Sequence, residues 1–172
     1  MPPGVSHAPP VEELGQRYLR PYEKMAAFLD ELDASSPPVP KERRVLAALG
    51  PRMLRLAAER AAGAHPYLVT PEHTRRARAI LGPRPLLAPE QKVVVETDLV
   101  RAQEIGRGGI ARYLQLPNYT NNLRRLGFTE EDLAGGGSDA LVDALVGARP
   151  RTSRPACGSI TRPEPTTWRS RC

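Results

Sequence analysis

One stretch of the chain combines residue types that could bind an anion. Residues 45–56, VLAALGPRMLRL, read as a short buried strand, a turn at Gly50 and a helix that begins at Pro51. Proline suits the first helical position because its φ is already helical and no N–H is needed there. The free N–H groups of that turn and the positive end of the helix dipole favour a phosphate. A plain structural turn is the alternative, because every strand–helix unit contains such a junction.

The elements that position this junction alternate between strand and helix. Hydrophobic periodicity and capping residues predict helices at 21–34, 51–62, 71–81, 99 to about 114, 119–126, 130–133 and 139–146. Apolar runs predict strands at 44–49, 64–69 and 92–96, with the end of another strand running into a loop at 4–10 and a link at 86–89. Short strands joined by helical crossovers favour parallel pairing, so we expect an α/β fold.

Several single residues set the predicted boundaries. Thr70 and Asp98 are expected to cap the helices that follow them. Gly63 is expected to end the helix from Pro51 in a left-handed conformation. The pair Gly108-Gly109 predicts a weak point in its helix, because glycine costs roughly 1 kcal/mol relative to alanine there.

Composition indicates a cytoplasmic protein of one domain. The 172 residues are 40% hydrophobic and 26% charged, with neither a secretion signal nor an apolar run that could span a membrane. The net charge of +6 is uneven, since residues 149–172 carry +5 and everything before them carries +1. Both cysteines, Cys157 and Cys172, lie in that basic tail without zinc-ligand spacing, so no metal site is predicted.

The combined pattern resembles the luciferase-like monooxygenase superfamily, and within it the actinobacterial oxidoreductases that use the deazaflavin coenzyme F-420. The matching segments are residues 4–9 (GVSHAP), 14–18 (LGQRY), 20–21 with Met25 and 29–30, 47–54, 57–67, 69–74 (VTPEHT), 87–91 (LAPEQ), 113–114 and 117–119 (PNY). The resemblance covers roughly residues 4 to 147.

This resemblance implies a (β/α)8 TIM barrel of about twice this length, often homodimeric, whose active site lies at the carboxyl ends of the strands. It implies hydride transfer between F-420 and a small organic substrate, with the cofactor phosphate held by the backbone of Ala48, Leu49 and Gly50. It places His65 and Tyr67 beside the cofactor tail. The strands that carry most ring and substrate contacts in the family have no counterpart here, so no catalytic residue is assigned. Residues 1–148 are therefore interpreted as an incomplete luciferase-like barrel that is poorly soluble and has no turnover alone.

Residues 149–172 are predicted to form a disordered basic tail read out of frame. Back-translation of residues 158–172 with G/C-rich codons, read one base earlier, permits a helix end, a turn and an apolar strand like the family's last one. The nucleotide sequence decides this hypothesis.

Two other functions stay open, and several single residues could have purely structural roles. The cofactor could be FMN with oxygen, or the chain could be a small basic protein that contacts nucleic acid through its tail, although the near-neutral body makes nucleic acid a poor partner. His65 could instead cap a loop, and His7 has the position of a catalytic residue without its partners. His73 is expected to be solvated, and Tyr67 and Tyr113 are equally compatible with simple packing.

Overall fold

The computed structural model describes residues 4–5, 7–15 and 17–148. In chain order the α-helices are α1 (Ala8–Glu13), α2 (Pro21–Ala34), α3 (Pro51–Arg60), α4 (Pro71–Leu81), α5 (Leu99–Ala111), α6 (Pro117–Leu126), α7 (Glu130–Leu133) and α8 (Asp139–Leu145). The strands are β1 (Val45–Leu46), β2 (Gly63–Ala64), β3 (Leu86–Leu87), β4 (Lys92–Val94) and β5 (Val146–Ala148). The predicted basic tail, 149–172, lies outside the described residues.

The strands form two parallel sheets, which confirms the α/β class. One sheet has the order β1-β2-β3, with Val45 opposite Gly63 and Gly63 opposite Leu86. The other pairs β4 with β5, with Val93 opposite Gly147. Helix α3 connects β1 to β2 and helix α4 connects β2 to β3, so two consecutive strand–helix–strand units build the first sheet. These described strands do not close into a barrel.

Helix positions were predicted better than strand positions. The bounds of α2, α4 and α7 agree with the sequence, and the side chains of Thr70 and Asp98 accept hydrogen bonds from the first turns of α4 and α5. Both capping predictions are confirmed. Side-chain chemistry at a helix end is local, so it can be read from a few neighbouring residues.

Several strand predictions are wrong. Residues 4–5 and 7 form no strand, and the chain enters α1 at Ala8 instead. The supposed link at 86–89 contains β3, and the end of the last predicted helix contributes Val146 to β5. Strands of two or three residues are too short to show an alternating pattern, which is why periodicity misplaced them.

Gly63 does not end a helix. Helix α3 ends at Arg60, and Gly63 lies in β2 between its two neighbouring strands. A Cβ atom at this position would lie 1.9 Å from the carbonyl oxygen of Leu86. The glycine is therefore required by the close approach of β3 and not by a helix cap.

Two groups of buried side chains hold the elements together. The first lies between the sheet β1-β2-β3 and helices α2, α3 and α4 and includes Met25, Leu29, Leu46, Leu54, Leu56 and Leu81. The second joins α5, α6, α8 and β5 and includes Leu68, Ile110, Leu123, Leu141, Val142 and Leu145. Leu49 and Tyr67 pack against the second group, so the turn after β1 touches both halves of the interior.

Helix α5 runs without a break through the predicted weak point. Gly108 is exposed, and a Cβ atom there would meet nothing within 4 Å. Gly106, two residues earlier in the same helix, is buried, and a Cβ atom there would lie 3.0 Å from Cγ1 of Val142 in α8. The two positions therefore differ in packing and share the same helical backbone.

We expect the substitution Gly108→Ala to raise the free energy of unfolding by about 0.5–1 kcal/mol, because alanine restricts the unfolded chain and favours helix. Urea denaturation followed by circular dichroism measures this change. Gly106→Ala is the matched comparison and should gain less, since its methyl group crowds Val142. Equal gains at both positions would contradict the close packing of α5 on α8.

Candidate functional site

The junction between β1 and α3 has the geometry of an anion site. Gly50 is the N-cap of α3, with extended backbone and no side-chain cap, and its carbonyl oxygen accepts the first helical bond from the N–H of Leu54 at 3.0 Å. The N–H groups of Arg52 and Met53 have no acceptor among the described residues. Both point out of the first turn, where the helix dipole is positive. The junction can therefore accept an anion without rearranging.

The three predicted phosphate-binding residues occupy this turn in different ways. Ala48 is buried in the first core group, so only its backbone could reach a ligand. Leu49 and Gly50 are half-buried. The structure thus brings Ala48, Leu49 and Gly50 to the carboxyl end of β1, directly before the free N–H groups of α3.

His73 holds the turn in place, contrary to the prediction that it is solvated. Its side chain is 4% exposed, and its Nε2 lies 2.8 Å from the carbonyl oxygen of Leu49. A carbonyl only accepts, so Nε2 carries the proton, while the buried Nδ1 has no partner among the described residues. The backbone N–H of His73 donates to the Thr70 hydroxyl that caps α4. His73 therefore couples the start of α4 to the turn after β1.

Arg125 adds a cation to the junction that the sequence did not reveal. One of its guanidinium nitrogens lies 3.9 Å from the point where a Cβ of Gly50 would be. Arg125 is exposed and its guanidinium forms no ion pair within the described ranges. Arg76 donates to the backbone oxygen of Arg125 at 3.0 Å, which fixes the end of α6 against α4.

The electrostatic environment of the junction is positive. Burial lowers the pKa of His73, and the charges of Arg125 and Arg76 lower it further, outweighing the hydrogen bond to Leu49. The charges of Arg125 and Arg76 that disfavour a protonated histidine favour a bound anion, whereas burial, the largest cause of the lowered pKa, does not. Arg76 is paired with Glu72 at 2.6 Å, whereas Arg125 has no carboxylate partner in the part of the chain that the structure describes.

His65 ties the carboxyl ends of three strands together. Its backbone N–H donates to Leu46 of β1 at 2.8 Å, and its Nδ1 lies 2.6 Å from the carbonyl oxygen of Ala88, just beyond β3. The ring therefore has a structural contact that corresponds to the loop-capping alternative. Its role beside a cofactor tail stays a prediction.

Tyr67 belongs to a cluster of three tyrosines, Tyr67, Tyr113 and Tyr119, which we call the tyrosine cluster. The hydroxyls of Tyr67 and Tyr113 lie 3.0 Å apart, and the Tyr119 ring meets the Tyr113 ring edge-on at 5.4 Å. The Lys92 ammonium donates to the Tyr67 hydroxyl at 3.2 Å and lies about equally close to both ring centres, 5.1 and 5.0 Å. Such cation–π contacts stabilise the cluster.

Glu90 completes the surroundings of Lys92. Its carboxylate accepts from Lys92 at 3.3 Å and from the backbone N–H of Leu68 at 3.4 Å. Leu68 has a positive φ of 53°, a conformation that non-glycine residues seldom adopt. Burial lowers the pKa of Lys92, but the hydrogen bond to Tyr67 and the charge of Glu90 raise it above its usual value, so the ammonium stays charged. Burial, with the neighbouring tyrosines, raises the pKa of Tyr119 to about 12.

His7 reaches the tyrosine cluster from the N-terminal segment. Its ring centre lies 5.3 Å from that of Tyr119, and its Nδ1 is buried without a partner among the described residues. Burial lowers the pKa of His7, and the charge of Arg112 acts in the same direction against a hydrogen bond to Asn118. Nothing within the described residues pairs His7 with a second group suited to acid–base chemistry.

We expect stability to fall as the pH is lowered from 7 to 5. His7 and His73 both have folded-state pKa values below 6.5. As the pH falls through this range, these histidines therefore become protonated in the unfolded chain before they do so in the folded chain. The unfolding free energy, measured by urea denaturation across this range, should decrease with falling pH, and His73→Gln should flatten the decrease. Loss confined to pH values below about 4.5, where carboxylates such as Glu72 titrate, would contradict neutral buried histidines.

Across the described ranges, no three His, Cys, Asp or Glu side chains are arranged to hold a metal ion, and no helix is long and apolar enough to cross a bilayer. No protein-family model, curated protein or solved structure matches the chain. The fold and the junction together define an α/β protein with parallel strand–helix units and a positively charged, uncapped helix N-terminus at the carboxyl edge of its sheet.

Proposed function

We propose that the chain is part of a luciferase-like oxidoreductase and that the junction of β1 and α3 binds the phosphate of the deazaflavin coenzyme F-420. The single observation that carries this proposal is the uncapped start of α3. There the N–H groups of Arg52 and Met53 have no acceptor among the described residues, and a guanidinium nitrogen of Arg125 lies 3.9 Å from the Cβ position of Gly50. A phosphate needs several donors and a positive potential, and this turn supplies both.

The arrangement of the first sheet supports an incomplete (β/α)8 barrel. Two strand–helix–strand units place β1, β2 and β3 side by side in chain order, as consecutive barrel strands are. Hydrogen bonds between the 62–66 and 86–90 segments extend the pairing of β2 with β3 beyond the regular strands. Leu49, His65 and Ala88 follow the three strands at the same edge, which is the edge where barrel enzymes bind their ligands.

In the proposed function F-420 supplies the hydride chemistry, and the residues of this chain bind and orient it. The backbone of Leu49 and Gly50 and the first turn of α3 hold the phosphate, while His73 keeps the turn rigid through the Leu49 carbonyl. Tyr67 and His65 lie on the loop after β2, where they would contact the part of the cofactor next to the phosphate. The small organic substrate is proposed from the family resemblance alone.

Titration of the isotopically labelled chain with F-420, followed by amide chemical shifts, tests the proposal. The amide signals of Gly50, Arg52 and Met53 should move most, and inorganic phosphate should move the same signals at higher concentration. FMN also carries a phosphate, so a parallel titration decides between the two cofactors by the order of affinities. If neither F-420 nor FMN moved those amide signals, the proposed function would be contradicted.

A further inference from the structure

The strand β4 exposes one apolar edge and face. Its pairing with β5 is its only strand pairing within the described residues, where residues 92–97 make no other backbone–backbone hydrogen bond. The Lys92 carbonyl also accepts from the Gln91 side chain at 3.1 Å, and the Thr97 N–H donates to the Glu96 side chain at 2.7 Å. Val93 is 67% exposed and Val95 is 88% exposed, whereas Lys92, Val94 and Glu96 turn inward. An open strand edge with exposed valines is a template for pairing with another strand.

The sequence of this edge is complementary to itself. Residues 92–96 read Lys-Val-Val-Val-Glu, so reversal about Val94 exchanges the positive end with the negative end. We propose that a second copy of this chain pairs its β4 antiparallel to the first, centred on Val94. Lys92 then lies opposite Glu96 of the second copy, and Val93 lies opposite Val95 of the second copy. The two chains would share one four-stranded sheet in the order β5-β4-β4-β5.

The charged ends of the edge can accept this pairing. Lys92 has three N–H donors and uses two of them, for Tyr67 at 3.2 Å and for Glu90 at 3.3 Å, which leaves one for Glu96 of the second copy. The side chain of Glu96 is 22% exposed. Its Oε1 already accepts from the backbone N–H groups of Thr97 and Asp98 and from the Thr97 hydroxyl, so Oε2, which lies 3.4 Å from Arg101, is the oxygen that would accept from Lys92 of the second copy. Opposite charges directly across an antiparallel pair stabilise it, and like charges destabilise it.

The apolar surface continues from β4 onto α5. Leu99, Val100 and Ile105 are 58%, 67% and 49% exposed, and a groove of about 430 Å³ runs between β4 and α5. A two-fold axis through Val94 would bring the same surface from both chains together, as an isologous dimer requires. Exposed apolar surface of this kind, beside an open edge, is typical of an interaction site.

Sedimentation velocity of the full chain tests the proposal with charge-swap variants. The wild type should sediment as a dimer, and the doubly acidic V93E/V95E and doubly basic V93K/V95K should each sediment as monomers. An equimolar mixture of the two should recover a dimer, because each acidic pair then faces a basic pair. The register also predicts that V93E/V95K dimerises by itself, since each introduced acid faces an introduced base of the other copy.

Leu14→Lys is the control, since Leu14 is 78% exposed and lies outside β4, and it should leave the dimer intact. Circular dichroism of each variant confirms that its monomers are folded. A wild type that stays monomeric at all accessible concentrations would overturn the proposal. So would a dimer that persists in V93E/V95E, or a mixture of the two charge variants that fails to associate.

Discussion

The substitution Gly63→Ala is expected to lower the free energy of unfolding by at least about 3 kcal/mol. A methyl group at this position would lie 1.9 Å from the oxygen and 2.6 Å from the carbon and nitrogen of Leu86. All three are backbone atoms of β3, so no side chain can move aside to relieve the overlap. The strands must separate, and the hydrogen bonds that the N–H groups of Leu86 and Ala88 donate to the carbonyls of Ala62 and Ala64 are then lost.

Urea denaturation of Gly63→Ala, beside Gly108→Ala, measures this effect. Both variants add the same methyl group, but the one at Gly108 meets nothing within 4 Å and should stabilise the chain. Opposite signs for the two substitutions are therefore expected. A Gly63→Ala variant as stable as the wild type would show that β2 and β3 are not packed as closely as described.

The substitution His73→Ala should lower the free energy of unfolding by roughly 2–3 kcal/mol and weaken anion binding at α3. The stability loss has two sources, since a buried ring is removed and the Leu49 carbonyl loses its 2.8 Å donor. The binding loss follows because Leu49 precedes Gly50, so a released turn no longer holds the first amides of α3 in one position. His73 is a positioning residue here and does not itself touch the anion.

The conservative variant His73→Gln separates these two roles. Its side-chain amide can still donate towards Leu49 but cannot titrate, so it should retain most phosphate-induced amide shifts in α3 and show less pH dependence. If His73→Ala and His73→Gln lost phosphate binding equally while both stayed folded, the hydrogen bond to Leu49 would not be what positions the turn.

The features that the sequence could predict are those that depend on near neighbours. The caps at Thr70 and Asp98 and the proline start of α3 are set by two or three adjacent residues, and the structure has each of them. The α/β class also follows from local patterns, because helices of ten or more residues carry a clear period. The strand–turn–helix junction at Gly50 is placed by the same local signals, and its binding of an anion stays a prediction.

The features that the sequence could not predict depend on contacts between distant segments. Gly63 was assigned to a helix end because its constraint comes from Leu86, which lies 23 residues further along the chain. Arg125 lies at the end of α6, and no local pattern relates it to Gly50. His73 was recoverable, since it shares an i, i+4, i+8 stripe of α4 with the buried residues Ala77 and Leu81.

The affinity of F-420 for variants of two neighbouring arginines tests the central claim most directly. Arg125 lies near Gly50 and has no ion pair among the described residues, whereas Arg124 is paired with Glu130 at 2.5 Å. Arg125→Gln should weaken F-420 binding about tenfold. This loss is at the lower end of what a charge-assisted hydrogen bond contributes, because solvent screens the exposed charge of Arg125. Arg124→Gln, which removes the same charge one residue away, should leave the affinity unchanged. Equal affinities for both variants and the wild type would contradict a phosphate site at the start of α3.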